Sequence, residues 1–211
     1  MKKLLLPGTI VMVLLLAILL NACNSTKIIS SWADPQGTIE KSKKVLVIGL
    51  MGAKDRSLKE NVENITVQNL QARGINAGSA LAEYGPKAFE GLSEPQALAK
   101  IRNKGYDGTF TIALLDKTKE KSYNPGSVTY WPRTYRFWGY YHTMYARVYE
   151  PGYYTVTNKF ILEANFYSLD SEKLIYSVQT KSLDPSSPQA LATDFNKRLF
   201  EDMIKKGVIK Q

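Results

Sequence analysis

Lys44-Val45-Leu46-Val47-Ile48-Gly49-Leu50 is a β-rich run that is apolar at nearly every position. A strand with one wet face alternates polar and apolar side chains, so an unbroken greasy run belongs in a sheet covered on both faces. A sheet of that kind needs helical crossovers, and the residues downstream supply them. Ser57-Leu58-Lys59-Glu60 has the spacing of a capping box, in which the serine hydroxyl and the glutamate satisfy free N–H groups at a helix start. Leu58, Val62, Ile65 and Leu70 then lie near one stripe of a helix that Gly74 should stop. Ile75–Ala80 is expected as a short second strand, followed by loose polar sequence as far as Ser93.

Ser93-Glu94-Pro95-Gln96-Ala97-Leu98-Ala99 opens a second helix with Leu98 and Ile101 facing the core and Gly105 at its end. Gly108–Leu115 carries Phe110, Ile112 and Leu114 on one side of a third strand. Thr157–Ser168 alternates Phe160, Leu162, Ala164 and Phe166 against Ile161, Glu163, Asn165 and Tyr167. Asp170-Ser171-Glu172 is a turn, and Leu174, Tyr176 and Val178 form the return strand of an antiparallel hairpin. Ser186-Ser187-Pro188-Gln189-Ala190-Leu191-Ala192 starts a last helix with Leu191, Phe195, Leu199 and Met203 at four-residue spacing, stopped by Gly207. The expected fold class is α/β: a mixed sheet of about five to seven strands with three main helices, in the order β-α-β-α-β, hairpin, C-terminal helix.

Ser-x-Pro-Gln-Ala-Leu-Ala occurs twice, at Ser93 and Ser186. Helix-start chemistry accounts for it without a duplication. A serine caps, a proline sits in the first turn where no N–H partner is needed, and a glutamine completes the box.

Upstream of the core strand, Met1-Lys2-Lys3 precedes an uncharged stretch that ends in Leu20-Asn21-Ala22-Cys23. Basic start, apolar middle and a small residue before the cut are the order of a secretion signal. Cys23 is the sole cysteine. Its position resembles the lipobox of bacterial lipoproteins, where the thiol is alkylated by diacylglycerol and the new N-terminus is acylated, with palmitate as the expected chain. The expected organisation is a lipoprotein signal peptide over 1–22, a lipidated tether over 23–42 and one α/β domain over 43–211. The tether holds a strand-like piece, Lys27–Trp32, with Trp32 expected as a hydrophobic plug docking on the domain and a ligand-binding tryptophan as the alternative. A retained membrane anchor is the alternative for Leu4–Leu20, which is near the lower length limit for a span. Asn24 in place of aspartate resembles the enteric sorting signal for the outer membrane, facing the periplasm, with the inner membrane as the alternative.

Charge and cysteine usage narrow the chemistry. Removing Lys2 and Lys3 with the signal takes the net charge from +9 to +7. Outside the cytoplasm such charge points to anionic headgroups, acidic polymers or an acidic protein rather than nucleic acid. With Cys23 lipidated and His142 the only histidine, a metal site of the usual His/Cys kind and a disulfide are excluded, and no cofactor is expected. Gly49-Leu50-Met51-Gly52-Ala53-Lys54 follows a strand and precedes a helix, where a phosphate loop would lie, but its spacing fits neither nucleotide fingerprint. It is expected to be an ordinary connection. Asp116, Glu120, Glu150 and Glu163 are scattered, with no spacing that pairs them for glycosidase work.

Tyr123–Tyr154 holds nine of the thirteen tyrosines, plus Trp131, Phe137, Trp138 and His142. It is expected as an insertion in the domain. Tyrosine offers a flat apolar face and a polar tip, which suits sugar stacking, protein contact and membrane interfaces. Three readings stay open: an aromatic binding surface for a glycan or protein, a strand pair completing the sheet, and an amphipathic membrane hairpin. Arg136 on one face and Arg133 and Arg147 on the other weigh against the last. Tyr135, Trp138, Tyr140 and Tyr141 are the candidate partner-binding residues.

Several of these features together resemble a group of bacterial lipoproteins described only by a domain of unknown function. They are the lipobox, Ser31-Trp32-Ala33-Asp34-Pro35, Lys44–Ile48, the tyrosine-rich middle, Phe166-Tyr167-Ser168-Leu169-Asp170 and Lys173-Leu174-Ile175-Tyr176-Ser177. The element order also resembles the amino-terminal domain of the Tol translocation protein and the curli secretion lipoprotein. The resemblance implies envelope assembly, partner binding and, in some members, rings; it carries no catalytic residues. The expected function is a non-enzymatic, membrane-anchored envelope lipoprotein that binds a protein or cell-wall partner. The alternatives are an enzyme acting on envelope polymers through a carboxylate pair, and an oligomeric secretion or assembly component.

Overall fold

A computed structural model describes residues 26–39, 42, 44–124 and 153–210. The core strand β2 (Val45–Leu50) lies between β3 (Ala77–Ser79) and β4 (Gly108–Asn124), parallel to both. The remaining strands, β5 (Tyr153–Ser168), β6 (Lys173–Leu183) and β1 (Thr26–Ala33), continue from β4 as antiparallel neighbours. The sheet order is β1-β6-β5-β4-β2-β3. This is the mixed α/β sheet expected, with strands to spare in length: β4 runs well past Leu115.

Among the described residues four α-helices complete it: α1 (Arg56–Gln71), α2 (Ala80–Tyr84), α3 (Glu94–Arg102) and α4 (Pro188–Lys205). α1 buries Leu58, Val62, Thr66 and Leu70 at strict four-residue spacing. α4 buries Leu191, Phe195, Leu199 and Met203 in the same way. Both stripes close over the inner sheet face, on Val45, Val47, Phe110, Ile112, Leu162, Phe166 and Val178. Each such side chain contributes about 1.5–3 kcal/mol when removed from water. A buried Thr66 hydroxyl to Asn196 Oδ1 hydrogen bond of 2.8 Å ties α1 to α4 within that apolar layer. A second, smaller cluster, with Leu46, Ala80, Ile101, Tyr106 and Leu169, covers the other face of β2. The unbroken apolar run of β2 is therefore explained by cover on both sides.

The helix starts differ in detail from expectation. α1 begins at Arg56 with Asp55 at its N-cap and no side-chain cap, so Ser57 lies inside the helix rather than at its start. At α3 the Gln96 side chain accepts from the Ser93 N–H at 2.9 Å, as the box requires. At α4 the cap is Ser187, whose hydroxyl accepts from Ala190 N–H at 3.0 Å, and not Ser186. Pro188 thus falls one position earlier in its helix than Pro95 does, and the two seven-residue strings do not superimpose as caps. Gly74 and Gly207 take φ of +78° and +71°, the left-handed conformation that ends a helix cheaply only without a Cβ. The stretch expected as loose polar sequence holds α2, capped by Ser79.

The segment expected as a tether contains β1, which pairs with β6 from Thr26 opposite Ser182 to Ala33 opposite Tyr176. It is an edge strand of the sheet, fastened by a buried Thr26–Ser182 hydroxyl pair at 2.7 Å and by Arg198 Nε on the Thr26 carbonyl. Trp32 is not a plug. It stands opposite Ser177, on the side of the sheet away from the main core, and is 49% exposed. Strand alternation decides this, because Ala33 takes the inward place beside the core.

Candidate functional site

Cross-strand register builds the outer face of β1, β6 and β5 row by row. Trp32 lies beside Ser177, and Ser177 beside Asn165. Ser30 lies beside Gln179, and Gln179 beside Glu163. The inward neighbours Val178, Tyr176, Leu162, Ala164 and Phe166 are fully buried, so alternation turns the polar set outward. Among the described residues no helix covers this face over β5, β6 and β1.

Its polar groups are fixed. Glu163 Oε1 accepts from Asn165 Nδ2 at 2.9 Å, and Oε2 accepts from Gln179 Nε2 at 2.7 Å. Each amide keeps its carbonyl oxygen and a second N–H for a ligand, and the carboxylate keeps further lone pairs. With strands about 4.8 Å apart, the indole and the Asn165 row are separated by about 10 Å. The result is one aromatic platform beside a rigid set of donors and acceptors.

A second feature lies at one end of the sheet. β6 ends at Leu183, opposite Lys159, and β2 ends at Leu50, opposite Ala113. Among the described residues β4 and β5 continue without further strand neighbours for six residue pairs, from Lys119 with Asn158 to Asn124 with Tyr153. This two-stranded ribbon extends about 20 Å at about 3.3 Å per residue. At its root Lys159 Nζ reaches Asp116 at 3.2 Å and Glu120 at 3.0 Å. The hydrogen bond from Lys159 holds the Glu120 carboxyl below its ordinary value, and the same bond, with a second that Lys159 donates to Asp116, raises Lys159. Lys117 pairs with Asp55 at 2.5 Å and lies over the Phe160 ring. Those groups line a cleft of about 220 Å³ with Leu58, Pro188 and Leu191.

The structure brings together two of the four carboxylates singled out from the sequence, Asp116 and Glu120, but one ammonium holds both. Glu163 belongs to the outer face. Glu150, Cys23, Tyr135, Trp138, Tyr140, Tyr141 and His142 lie outside the described residues. Gly49 N–H, in the loop weighed for phosphate, donates to Glu63 Oε1 at 2.8 Å and is unavailable to a ligand. Among the described residues no cluster of three metal-ligating side chains occurs, and no helix is long and apolar enough to cross a membrane.

Glu63 is the residue that the sequence did not single out. It is fully buried in α1 and accepts from Gly49 N–H, the Ser79 hydroxyl and Leu81 N–H. It joins β2, β3 and α2 and has no opening to solvent, so its work is structural. A charge one position beyond Val62 in an amphipathic stripe is the only mark it leaves in the sequence.

No family model and no curated protein matches the chain. Among solved structures it is similar to the PelC dodecamer from Paraburkholderia phytofirmans, at 14% identity and a TM-score of 0.39, over 80% of this chain and 88% of that one. It is also similar to lipoprotein GNA1162 from Neisseria meningitidis, at 11% identity and a TM-score of 0.43, over 77% of this chain and 98% of that one.

Proposed function

We propose that the protein is a non-enzymatic, lipid-anchored module of the bacterial envelope, facing the periplasm from the outer membrane, that binds a cell-wall or protein partner. The anchor rests on Cys23 and the signal-like residues before it. The observation that carries partner binding is the open outer sheet face, with exposed Trp32 beside the fixed Asn165, Glu163 and Gln179 groups. A half-exposed indole next to amides and a carboxylate suits a hydroxyl-rich polymer, because a sugar ring stacks while its hydroxyls both donate and accept. Cell-wall glycan is therefore the first partner to test. Tyr135, Trp138, Tyr140 and Tyr141 are proposed as a second contact surface, joined by the chain to the far end of the ribbon.

Co-sedimentation with purified cell-wall sacculi tests the reading, alongside crosslinking and pull-down from intact envelopes. Trp32→Ala and Tyr140→Ala/Tyr141→Ala are compared with wild type. Loss of sedimentation in the Trp32 variant supports the sheet face, and loss only in the tyrosine variant moves the site to the tyrosine-rich segment. An unchanged partner list in both sinks the proposal.

A second reading, a self-assembling component, is favoured by the ribbon, whose outer edges lack strand neighbours among the described residues. Such edges are templates for pairing with another chain. Light scattering on the delipidated protein distinguishes a monomer from a ring.

A further inference from the structure

We propose that the ribbon end of the sheet is a lipid-binding surface, which rests on anionic headgroups and fixes the domain's orientation on the bilayer. The inference rests on lipidation at Cys23. Its first support is direction. β1 starts at Thr26, at the level of Ser182, Phe160 and Lys117 across the sheet. Followed backwards, β1 leaves the domain at that end, and β4 and β5 extend past the sheet at the same end. Only three residue steps separate Thr26 from Cys23, so the anchor lies within about 10 Å of Thr26 even with the chain fully extended. The ribbon reaches about 20 Å beyond the sheet. With the strands standing upright on the membrane, a ribbon longer than the anchor's reach meets the bilayer. Adjacent strands rotate by roughly 20–25°, so across the two steps from β1 to β5 the ribbon leans by about 40–50° and lies slanted along the surface.

Charge is the second support. Lys27, Lys119 and Lys121 are exposed at this end and take part in none of the ion pairs among the described residues. The acids nearby are already engaged. Asp55 is held by Lys117, and Asp116 and Glu120 by Lys159. Asp184 accepts from the Asn158 backbone and side chain. Lys54 and Arg56 add exposed positive charge where the β2–α1 connection reaches the same end. The opposite end, around the β5–β6 turn, is mixed in sign: Asp34, Asp107 and Asp170 share one cleft with Lys173, and Lys44, Arg102 and Lys104 lie close by. The lysines outside those ion pairs leave the ribbon end cationic beside the anchor. Within a Debye length of about 8–10 Å an anionic bilayer attracts that surface.

Position-specific energy transfer on the lipidated, mature protein tests this. Cys23 is consumed by the lipid, so one introduced thiol takes a donor dye uniquely. Ser122→Cys marks the ribbon, and Lys173→Cys marks the other end, about 40 Å away along β5 at strand spacing. Vesicles carry an acceptor lipid in phosphatidylcholine, with or without phosphatidylglycerol. On phosphatidylglycerol vesicles, transfer from position 122 is expected to exceed that from position 173 severalfold. High salt or Lys27→Glu/Lys119→Glu/Lys121→Glu should shrink the difference. Protein that floats with the vesicles but transfers equally from both positions overturns the orientation and leaves the anchor standing. A difference indifferent to phosphatidylglycerol and salt overturns the headgroup contact and assigns the lysines to an acidic polymer or protein. An unmodified Cys23 by mass spectrometry overturns the anchor and the orientation together.

Discussion

Replacing Glu63 by glutamine preserves size and shape while changing one atom from acceptor to donor, and the surroundings cannot adapt. The carboxylate faces three donors and nothing else: Gly49 N–H at 2.8 Å on Oε1, and the Ser79 hydroxyl and Leu81 N–H, the latter at 2.8 Å, on Oε2. If the oxygen of the new amide takes the Oε1 place, its NH₂ opposes Leu81 N–H. If the amide is flipped, the NH₂ opposes Gly49 N–H. The Ser79 hydroxyl can turn to accept in the first case and keeps donating in the second, but a backbone N–H cannot reverse. One backbone donor is therefore left unpaired, at about 1–3 kcal/mol, and the surviving bonds lose the strengthening that a charge gives them, about 1 kcal/mol more. A net loss of about 2–4 kcal/mol follows, a large part of the roughly 5–15 kcal/mol typical of a domain. Urea unfolding of Glu63→Gln against wild type measures it as a lower midpoint at unchanged slope. Ser79→Ala removes one hydroxyl donor and the α2 cap but leaves both N–H bonds, and should lose about 1–2 kcal/mol. A Glu63→Gln protein within about 0.5 kcal/mol of wild type would show that the three-donor account is wrong.

Ser187→Ala should cost about 1 kcal/mol of unfolding free energy, and Ser186→Ala close to nothing, because the cap of α4 is Ser187. Equal losses would place the helix start elsewhere. Phe195→Ala, at a fully buried site in α4, should cost about 3–5 kcal/mol by the same assay. The Glu120 carboxyl should titrate below its ordinary 4.5 when followed by NMR, and Lys159→Met should return it toward that value. Because its folded pKa is depressed, its contribution is present above the unfolded value and is lost as pH falls through the folded one. An upward shift in wild type would contradict the ion triad.

The core was legible because its signals were local and redundant. The apolar run of β2, the four-residue stripes of α1 and α4 and the alternation of β5 each needed one period and no partner. The hairpin was equally plain from its turn and flanking strands. What escaped depended on partners far along the chain. Trp32 faces outward because Ala33 meets the core and Ser177 stands opposite, and pairing with β6 decides that rather than the local string. Glu63 reads as one more charge on a helix until Gly49, Ser79 and Leu81 converge on it. The start of α4 turned on which of two adjacent serines caps, and local composition permits both. Ribbon length was hidden because Lys117–Ser122 is polar on both faces, so neither face carries an apolar pattern to mark a strand.

Anchor, ribbon and sheet face combine into one geometric expectation. β1 runs away from the proposed bilayer contact, and Trp32 stands six residues beyond Thr26, about 20 Å farther from the membrane at strand spacing. The outer face carrying Trp32, Asn165, Glu163 and Gln179 therefore looks sideways over the surface, above the headgroups and clear of the ribbon. A partner reaching it must stand off the membrane, as a wall polymer or a second envelope protein does. Orientation and recognition are then separable by chain length. Inserting a flexible Gly-Ser linker between Ser25 and Thr26 leaves every β1–β6 pair intact but lets the domain rise and turn. The expected outcome is unchanged stability, unchanged affinity for sacculi in free solution, and loss of the difference in energy transfer between positions 122 and 173. If the linker instead abolished sacculus binding in solution, the face and the anchor would be one site, and the division drawn here between them would fail.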